Sequence, residues 1–480
     1  MERIRITDVA KAIRGKFGGG RGAARPGRAG SARGVSTDSR TTKEGDLFVA
    51  LRGPKFDGHD HVAEAFARGA VGAIVDRDFA FEQHFADRVV LWVKDTRAAL
   101  LDLAAWYRRR FNPVVIAITG SNGKTTTKEL VAAALGAAES PRGVVKSPAS
   151  YNNAIGVPLT LFQIGAETRY AVVEIGSNRP GEIAELARVV APTHGIVTSI
   201  GPAHLEGFGS LEAVAEEKGA LFEALPREGV AFVNADDPLV RDQGFARGPD
   251  LLLTYGTTEE CDVFARQPGR TRNGDIRFLL FGRRPVRLPI PGVHNVANAL
   301  AATAVAMHEG VALDVALARL RAVQLPEGRL HRRQVGGVTM LRDTYNANPA
   351  SVRAALHELH STFTDGRHVA ILGDMLEMGT NEELAHREIG RLVATIDLDL
   401  LWAVGPRGRW IADGAEEAGM APNRVLRSGG TEEANGSSFL PASGDVLLFK
   451  GSRGMELEKL ADEVERRLQK PQEEGETKAG

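Results

Sequence analysis

The amino-acid sequence predicts an α/β protein, built as three consecutive units on mostly parallel sheets. Short apolar, β-branched runs alternate with helix-length amphipathic runs along most of the chain, the pattern of buried parallel strands joined by crossover helices. The length of 480 residues corresponds to about three domains of roughly 150 residues each. A glycine-bearing turn stands between an apolar strand and a helix start in Val114–Thr127, VVIAITGSNGKTTT.

Residues 1–112 read as the first unit. Strand signals fall at Gly45–Leu51, Gly72–Val75 and Val89–Val93, and a helix at Ala98–Phe111, before Pro113 breaks the chain. Within this unit Lys11–Gly34 holds no acid and carries Lys11, Arg14, Lys16, Arg21, Arg25, Arg28 and Arg33 among many glycines. Such a composition cannot build a core and predicts a mobile loop, with polyanion contact as the alternative. Residues 113–325 form the central unit. Tyr170–Gly176, Gly195–Ile200 and Val230–Asn234 read as fully buried parallel strands. The alternating stretch Asp275–Leu288 reads as an antiparallel appendage. A helix over Asn295–Glu309 would place Ala297, Leu300, Ala301, Ala304 and Met307 on one face. Residues 326–470 form a third, doubly wound unit. Its strands read at Val338–Leu341, His368–Leu372, Leu398–Val404 and Val446–Phe449, and its helices at Ala350–Phe363 and Glu382–Ala394. Residues 471–480 are polar and read as a flexible tail.

Composition narrows the function classes. Hydrophobic residues make up 43% and charged residues 25%, as in ordinary globular proteins. A formal net charge of −1 argues against nucleic acid as the main partner. Cys261 is the only cysteine, so there is neither a disulfide framework nor a thiolate metal site. No run approaches the ~20 apolar residues that span a membrane, and the chain reads as cytoplasmic.

The turn at Gly120, Ser121, Asn122, Gly123, Lys124, Thr125 and Thr126 has the order that cradles nucleotide phosphates. Backbone N–H groups and a helix N-terminus face the anion, a lysine reaches the terminal phosphates, and a threonine hydroxyl is placed for Mg²⁺. The longer pattern would need a glycine where Ile118 stands, so this is the shorter TGxxGKT form. Glu174 closes one neighbouring strand and His204 lies just past another. Ligands in open α/β sheets sit beyond such carboxyl ends, so a carboxylate and an imidazole there suit a Mg²⁺ shell. Lys218 falls four residues from both Val214 and Phe222, inside the apolar stripe of Leu211–Leu225. There it either snorkels or carries a depressed pKa, and spacing alone favours snorkelling. Asn295 and Asn298 open a helix, suited either to an adenine edge or to a plain cap. Asp343-Thr344-Tyr345-Asn346-Ala347-Asn348-Pro349 follows a strand at a sheet rim, with Arg329 upstream, and either faces a polar ligand or is turn chemistry.

The motif set resembles one family. TGSNGKTTTK, SYNNAIGVPLTL, VVEIGSNRPGEI, PAHLEGF, KGALF, NADDP, HNVANALAA, EGR, DTYNANPAS, ILGDMLEMG and FKGSRGMELE occur in the order found in the Mur ligases. STDSRTTKEGDLFVAL and FDGH extend the resemblance into the first unit. It implies a three-domain Mur ligase architecture: a small α/β N-terminal domain, a central P-loop ATPase domain and a C-terminal Rossmann-like domain. DTYNANPxS and LGDMLEMG point, within the family, to members that join D-alanyl-D-alanine to UDP-N-acetylmuramoyl-tripeptide with ATP, through an acyl phosphate. The basic Gly/Arg loop is longer than the family's usual connection.

Carried over residue by residue, the resemblance implies that Lys124 holds the β/γ-phosphates and that Thr125 and Glu174 bind one Mg²⁺. His204 and a CO₂-derived carbamate on Lys218 would bind the second Mg²⁺, reversing the spacing-only reading of that lysine. Asn295 would meet adenine, while Arg329 and Asp343 reach ATP from the third domain. Ser36, Asp38, Ser39 and Arg40 match UDP-sugar contacts, Asn152 and Asn153 match the central cleft, and Tyr345, Asn346 and Asn348 border the dipeptide pocket. The implied protein is a cytoplasmic monomer without nucleic-acid or membrane partners. Two alternatives stay open at this level: a folylpolyglutamate-type ligase with another amine acceptor, and a nucleotide-gated module that holds polyanions on the basic loop.

Overall fold

The structure is a computed structural model that describes residues 1–18, 30–79, 88–271, 274–362, 366–437 and 439–469. The centre of the Gly/Arg-rich segment and the 471–480 tail lie outside the described residues.

Four sheets are present among these residues. In the first unit, Gly34–Ser36, Asp46–Val49, Gly72–Asp76 and Val89–Val93 pair in parallel, and Lys16–Gly18 adds antiparallel at the edge. Ile4–Arg5 pairs with Ser31–Ala32 in a small separate ribbon. The basic segment expected to be one mobile loop therefore begins and ends in ordered structure. Its Lys11 closes the helix Ile6–Ala12, and its flanks give backbone hydrogen bonds to strands. Those bonds need no apolar side chains, which is why composition hid them.

The helix Thr96–Arg108 joins the first unit to the second. Asp95 caps it by accepting from Ala98 N at 2.9 Å. Tyr107, fully buried, donates its hydroxyl to Ile164 O at 2.8 Å and accepts from Glu2 N at 2.8 Å. Arg108 donates to the carbonyls of Val190 and Ala191. Leu100, Leu103 and Tyr107 share one continuous core with Val115, Val173 and Val233.

The central unit is a nine-stranded sheet. Val144–Lys146, Tyr170–Glu174, Val114–Thr119, His194–Val197, Val230–Asn234 and Leu251–Gly256 lie side by side in parallel. Val263–Arg270 joins this sheet in parallel, and Asp275–Leu280 and Arg284–Pro291 extend it from there as antiparallel strands. The helix Asn295–His308 was expected to bury one face. Almost every residue along it is buried instead, with Met307 and His308 left exposed at its far end, because it packs between the phosphate-loop helix Lys124–Ala134 and the sheet.

The third unit holds a six-stranded sheet in the order His331–Val335, Val338–Asp343, Val446–Lys450, His368–Gly373, Leu400–Val404 and Val425–Ser428, with only the first pair antiparallel. HRRQV was not anticipated as a strand. It is an edge strand whose charges stay solvated, and Arg333 pairs with Glu465 at 2.8 Å. No helix among the described residues is long and apolar enough to cross a membrane.

Candidate active site

The carboxyl ends of the central strands open into a cleft of about 540 Å³ against the third unit. Ile118 ends its run in Thr119, and the chain turns through Gly120 at φ +141° and Gly123 at φ +82°. Both glycines are required. A Cβ on Gly120 would stand 2.1 Å from Thr198 Oγ1, and one on Gly123 2.8 Å from Asn298 Oδ1. The loop is pinned from the next strand: Ser121 N donates to Ser199 O at 2.8 Å, and Thr198 Oγ1 donates to Asn122 O at 2.5 Å. Helix Lys124–Ala134 then begins with its first N–H groups facing the cleft.

Lys124 donates its ammonium to Gly120 O at 2.5 Å. Loss of surrounding water, reinforced by Arg329 and opposed by Glu174, brings its pKa down to about 8. Thr125 Oγ1 donates to Glu174 Oε2 at 2.9 Å, and Asn152 Nδ2 donates to Glu174 Oε1 at 2.8 Å. Glu174 is 1% exposed. A buried carboxylate beside a hydroxyl at a phosphate-binding turn is an all-oxygen donor set, which fits Mg²⁺.

His204 stands at φ +53° and pairs through Nδ1 with Glu377 of the third unit. Lys218 lies on helix Leu211–Glu223, capped by Ser210. Its ammonium does not snorkel: it is 2% exposed, donates to Ser177 Oγ at 2.7 Å and lies 5.6 Å from the centre of the Phe208 ring. Burial, then the nearby Lys124 charge, lowers its pKa to about 7. The amine reaches the cleft lining through Ser177. A buried amine with a pKa near 7 offers the neutral form that carbamate formation needs, whereas an ordinary lysine stays charged.

The third unit supplies the opposite wall. Arg329 donates to Thr125 Oγ1 at 2.7 Å and stacks on Tyr345 with its guanidinium 4.2 Å from the ring centre. Asn348 donates to Asn122 Oδ1 at 2.9 Å while capping helix Pro349–Thr362 through its contacts with Ser351. Asp343 is held by Lys450 at 2.5 Å, and Lys450 also donates to Asn346 O at 3.0 Å. Asn295 lines the cleft, but its amide donates to Pro291 O at 2.6 Å and its carbonyl accepts from Asn298 at 2.7 Å. Asn153 lines the cleft as well, its carbonyl accepting from the backbone of Ile155 and Gly156.

The first-unit set is not gathered into this cleft. Arg40 donates to both oxygens of Asp38, at 2.9 and 2.7 Å, and lowers that carboxyl's pKa. Ser36 donates to Asp38 O, and Ser39 donates to Glu64 Oε2 at 2.8 Å. Sequence reading missed Lys128, Lys450 and Glu377. Lys128, fully buried, donates to Ala149 O and lies 3.1 Å from Glu129 Oε1 and 3.7 Å from Glu174 Oε2. Its position one turn after Lys124 was the available signal, as was the strand-end position of Lys450.

A phosphate-binding loop, a buried acid and a basic linker residue meeting across two α/β units define a P-loop nucleotide-binding protein whose site is completed by a second domain. The chain belongs to the Mur ligase family: residues 31–108 match its catalytic domain, 118–306 its middle domain and 328–453 its glutamate ligase domain. It is similar to the UDP-N-acetylmuramoyl-tripeptide–D-alanyl-D-alanine ligases of Bacillus subtilis (34% identity over 90% of this chain and 93% of that one) and Escherichia coli (37% over 79% and 82%). Among solved structures it resembles MurF of Acinetobacter baumannii, with TM-score 0.83, 30% identity and coverage of 97% of this chain and 99% of that one. It also resembles MurF of Thermotoga maritima in complex with ADP, with TM-score 0.78, 27% identity and coverage of 91% and 98%.

Proposed function

We propose that this protein is an ATP-dependent ligase joining D-alanyl-D-alanine to UDP-N-acetylmuramoyl-tripeptide, with release of ADP and phosphate. The observation that carries the reading is the meeting of Lys124, Thr125 and Glu174 with Arg329 in one cleft, in a chain similar to MurF enzymes over most of its length. The γ-phosphoryl group moves to the tripeptide carboxylate, making an acyl phosphate. The dipeptide amine attacks that carbonyl, and phosphate leaves from the tetrahedral intermediate.

Each residue has a role in that sequence. Lys124 neutralises the β/γ-phosphates, and the loop N–H groups orient them. Thr125 and Glu174 would hold one Mg²⁺; His204 and Lys218, the latter as the carbamate its neutral amine forms with CO₂ on loss of a proton, would hold a second. Bound there, the metal supplies charge that lets an anionic carboxylate approach the triphosphate. Asn295 meets adenine after giving up a backbone contact, and Asp343 reaches the nucleotide from the third unit. Ser36, Asp38, Ser39 and Arg40 bind the UDP-sugar end. Asn152 and Asn153 flank the tripeptide, and Tyr345, Asn346 and Asn348 border the dipeptide. Closure of the third unit excludes water from the acyl phosphate. The protein acts as a cytoplasmic monomer.

The test is phosphate release from ATP with UDP-N-acetylmuramoyl-tripeptide present and D-alanyl-D-alanine added or omitted. Release that needs both, with a matching mass gain in the peptide product, is expected. Release indifferent to the UDP substrate would overturn the substrate assignment.

A further inference from the structure

The far end of the central unit carries a second cluster of metal-ligand side chains. His194 begins the strand that leads to Thr198 and Ser199 at the phosphate loop. His308 ends the helix that starts at Asn295 in the cleft, and Glu309 follows it. That helix spans 14 residues, so its ends are about 20 Å apart. One ligand atom from each of His194, His308 and Glu309 lies within 4.8 Å of the other two. His194 is buried, Glu309 half-buried and His308 open to solvent.

His194 is held through both ring nitrogens. Nδ1 lies 3.0 Å from the Thr193 hydroxyl, which also accepts from Val115 N at 2.9 Å, and Nε2 lies 2.9 Å from Glu309 Oε1. In the tautomer protonated at Nδ1, the Nε2 lone pair faces the carboxylate, an arrangement that holds a cation between them. A second imidazole, His308, stands 5.3 Å from the first ring, and both rings rest near Phe232. Another nitrogen donor is a natural third ligand for a cation, while it offers little to an imidazolium–carboxylate pair. The outer contacts are also those of a metal site. Thr193 orients one imidazole, and Tyr170 stands close enough to the Glu309 carboxylate to interact with it electrostatically.

We propose that His194, His308 and Glu309 form a binding site for a zinc-class divalent transition metal, separate from the nucleotide cleft. Two imidazoles and one carboxylate suit zinc and leave a fourth position open to solvent beside His308. Ligand atoms on a tetrahedral zinc are about 3.4 Å apart, so the cluster needs only small side-chain adjustments. The ion takes no part in the reaction. It ties together the far ends of a strand and a helix whose near ends shape the nucleotide site.

The test is zinc titration of chelator-stripped protein in Mg²⁺-containing buffer, followed by calorimetry and thermal melting. Wild type is expected to bind one zinc per chain at this site and to melt higher when loaded. His308→Ala, an exposed position, is expected to fold normally, to weaken zinc binding at least about tenfold and to lose the thermal rise. His204→Ala should retain both, which excludes the nucleotide cleft as the zinc site. Phosphate release by zinc-free His308→Ala in the Mg²⁺ buffer should equal that of wild type. Zinc binding of unchanged affinity in His308→Ala, or no uptake by wild type at micromolar zinc, would overturn the proposal.

Discussion

Lys128→Met isolates the buried charge behind the cleft. Methionine nearly matches lysine in length and leaves no large void, so the loss it causes reports the ammonium. In the wild type that ammonium lies 3.1 Å from Glu129 Oε1 and 3.7 Å from Glu174 Oε2, in a site with almost no solvent access. Removing one partner of such a buried group costs about 3–5 kcal/mol. Here the lower end applies. Glu129 keeps Lys146, and Glu174 keeps the Thr125 hydroxyl and the Asn152 amide. For a domain of this size, a loss of about 3 kcal/mol lowers the melting temperature by about 6–12 °C. Scanning calorimetry of the metal-free protein reads this directly. Adding Glu129→Gln should recover part of the loss, because one of the two buried carboxylates left without the Lys128 ammonium is then neutral. A melting point within about 2 °C of wild type would refute the reasoning.

Other expected outcomes follow from single contacts. Arg329→Ala loses its bond to Thr125 and its stack on Tyr345, so kcat should fall more than nucleotide affinity; equal losses would argue against closure. Gly123→Ala forces a Cβ to 2.8 Å from Asn298 at φ +82°, and ADP binding by calorimetry should drop at least about tenfold. Lys218 sets a pH dependence of stability. Its unfolded amine keeps its proton to about 10.5 while the folded one releases it near 7, so the unfolded state binds more protons between these values and stability rises with pH across that window. Lys218→Met should therefore lose its melting advantage over CO₂-free wild type between pH 7 and 9; a constant difference would contradict the burial argument. Asn348→Ala removes both a helix cap and the Asn122 contact, and should cost about 1 kcal/mol in denaturant unfolding as well as slowing turnover.

What could be read from sequence was whatever is local. The phosphate loop declares itself because strand, glycines, lysine and helix start are contiguous, and Glu174 because it ends an apolar run. Lys218 was visible as a charge in an apolar stripe, though spacing alone pointed to snorkelling and only the packed structure buries its amine against Ser177. Pairings across long separations were not legible. His204 with Glu377 and Lys450 with Asp343 join residues whose proximity is made by two sheets meeting. Lys16–Gly18 and His331–Val335 escaped notice because edge strands are held by backbone bonds and carry no apolar pattern.

Arg329 has a further consequence through where it stands. It belongs to the connection between the helix Leu313–Arg321 and the strand His331–Val335, so the tether between the two units is itself part of the cleft wall. Most interdomain connections accept insertions freely, since only their ends are specified. This one is a ruler. A single added residue ahead of Arg329 would shift its guanidinium by up to about 3.5 Å, more than the 2.7 Å that separates it from Thr125. Chain length between the units is thereby under the same geometric constraint as the reacting groups, and indels there should be as damaging as substitutions in the phosphate loop.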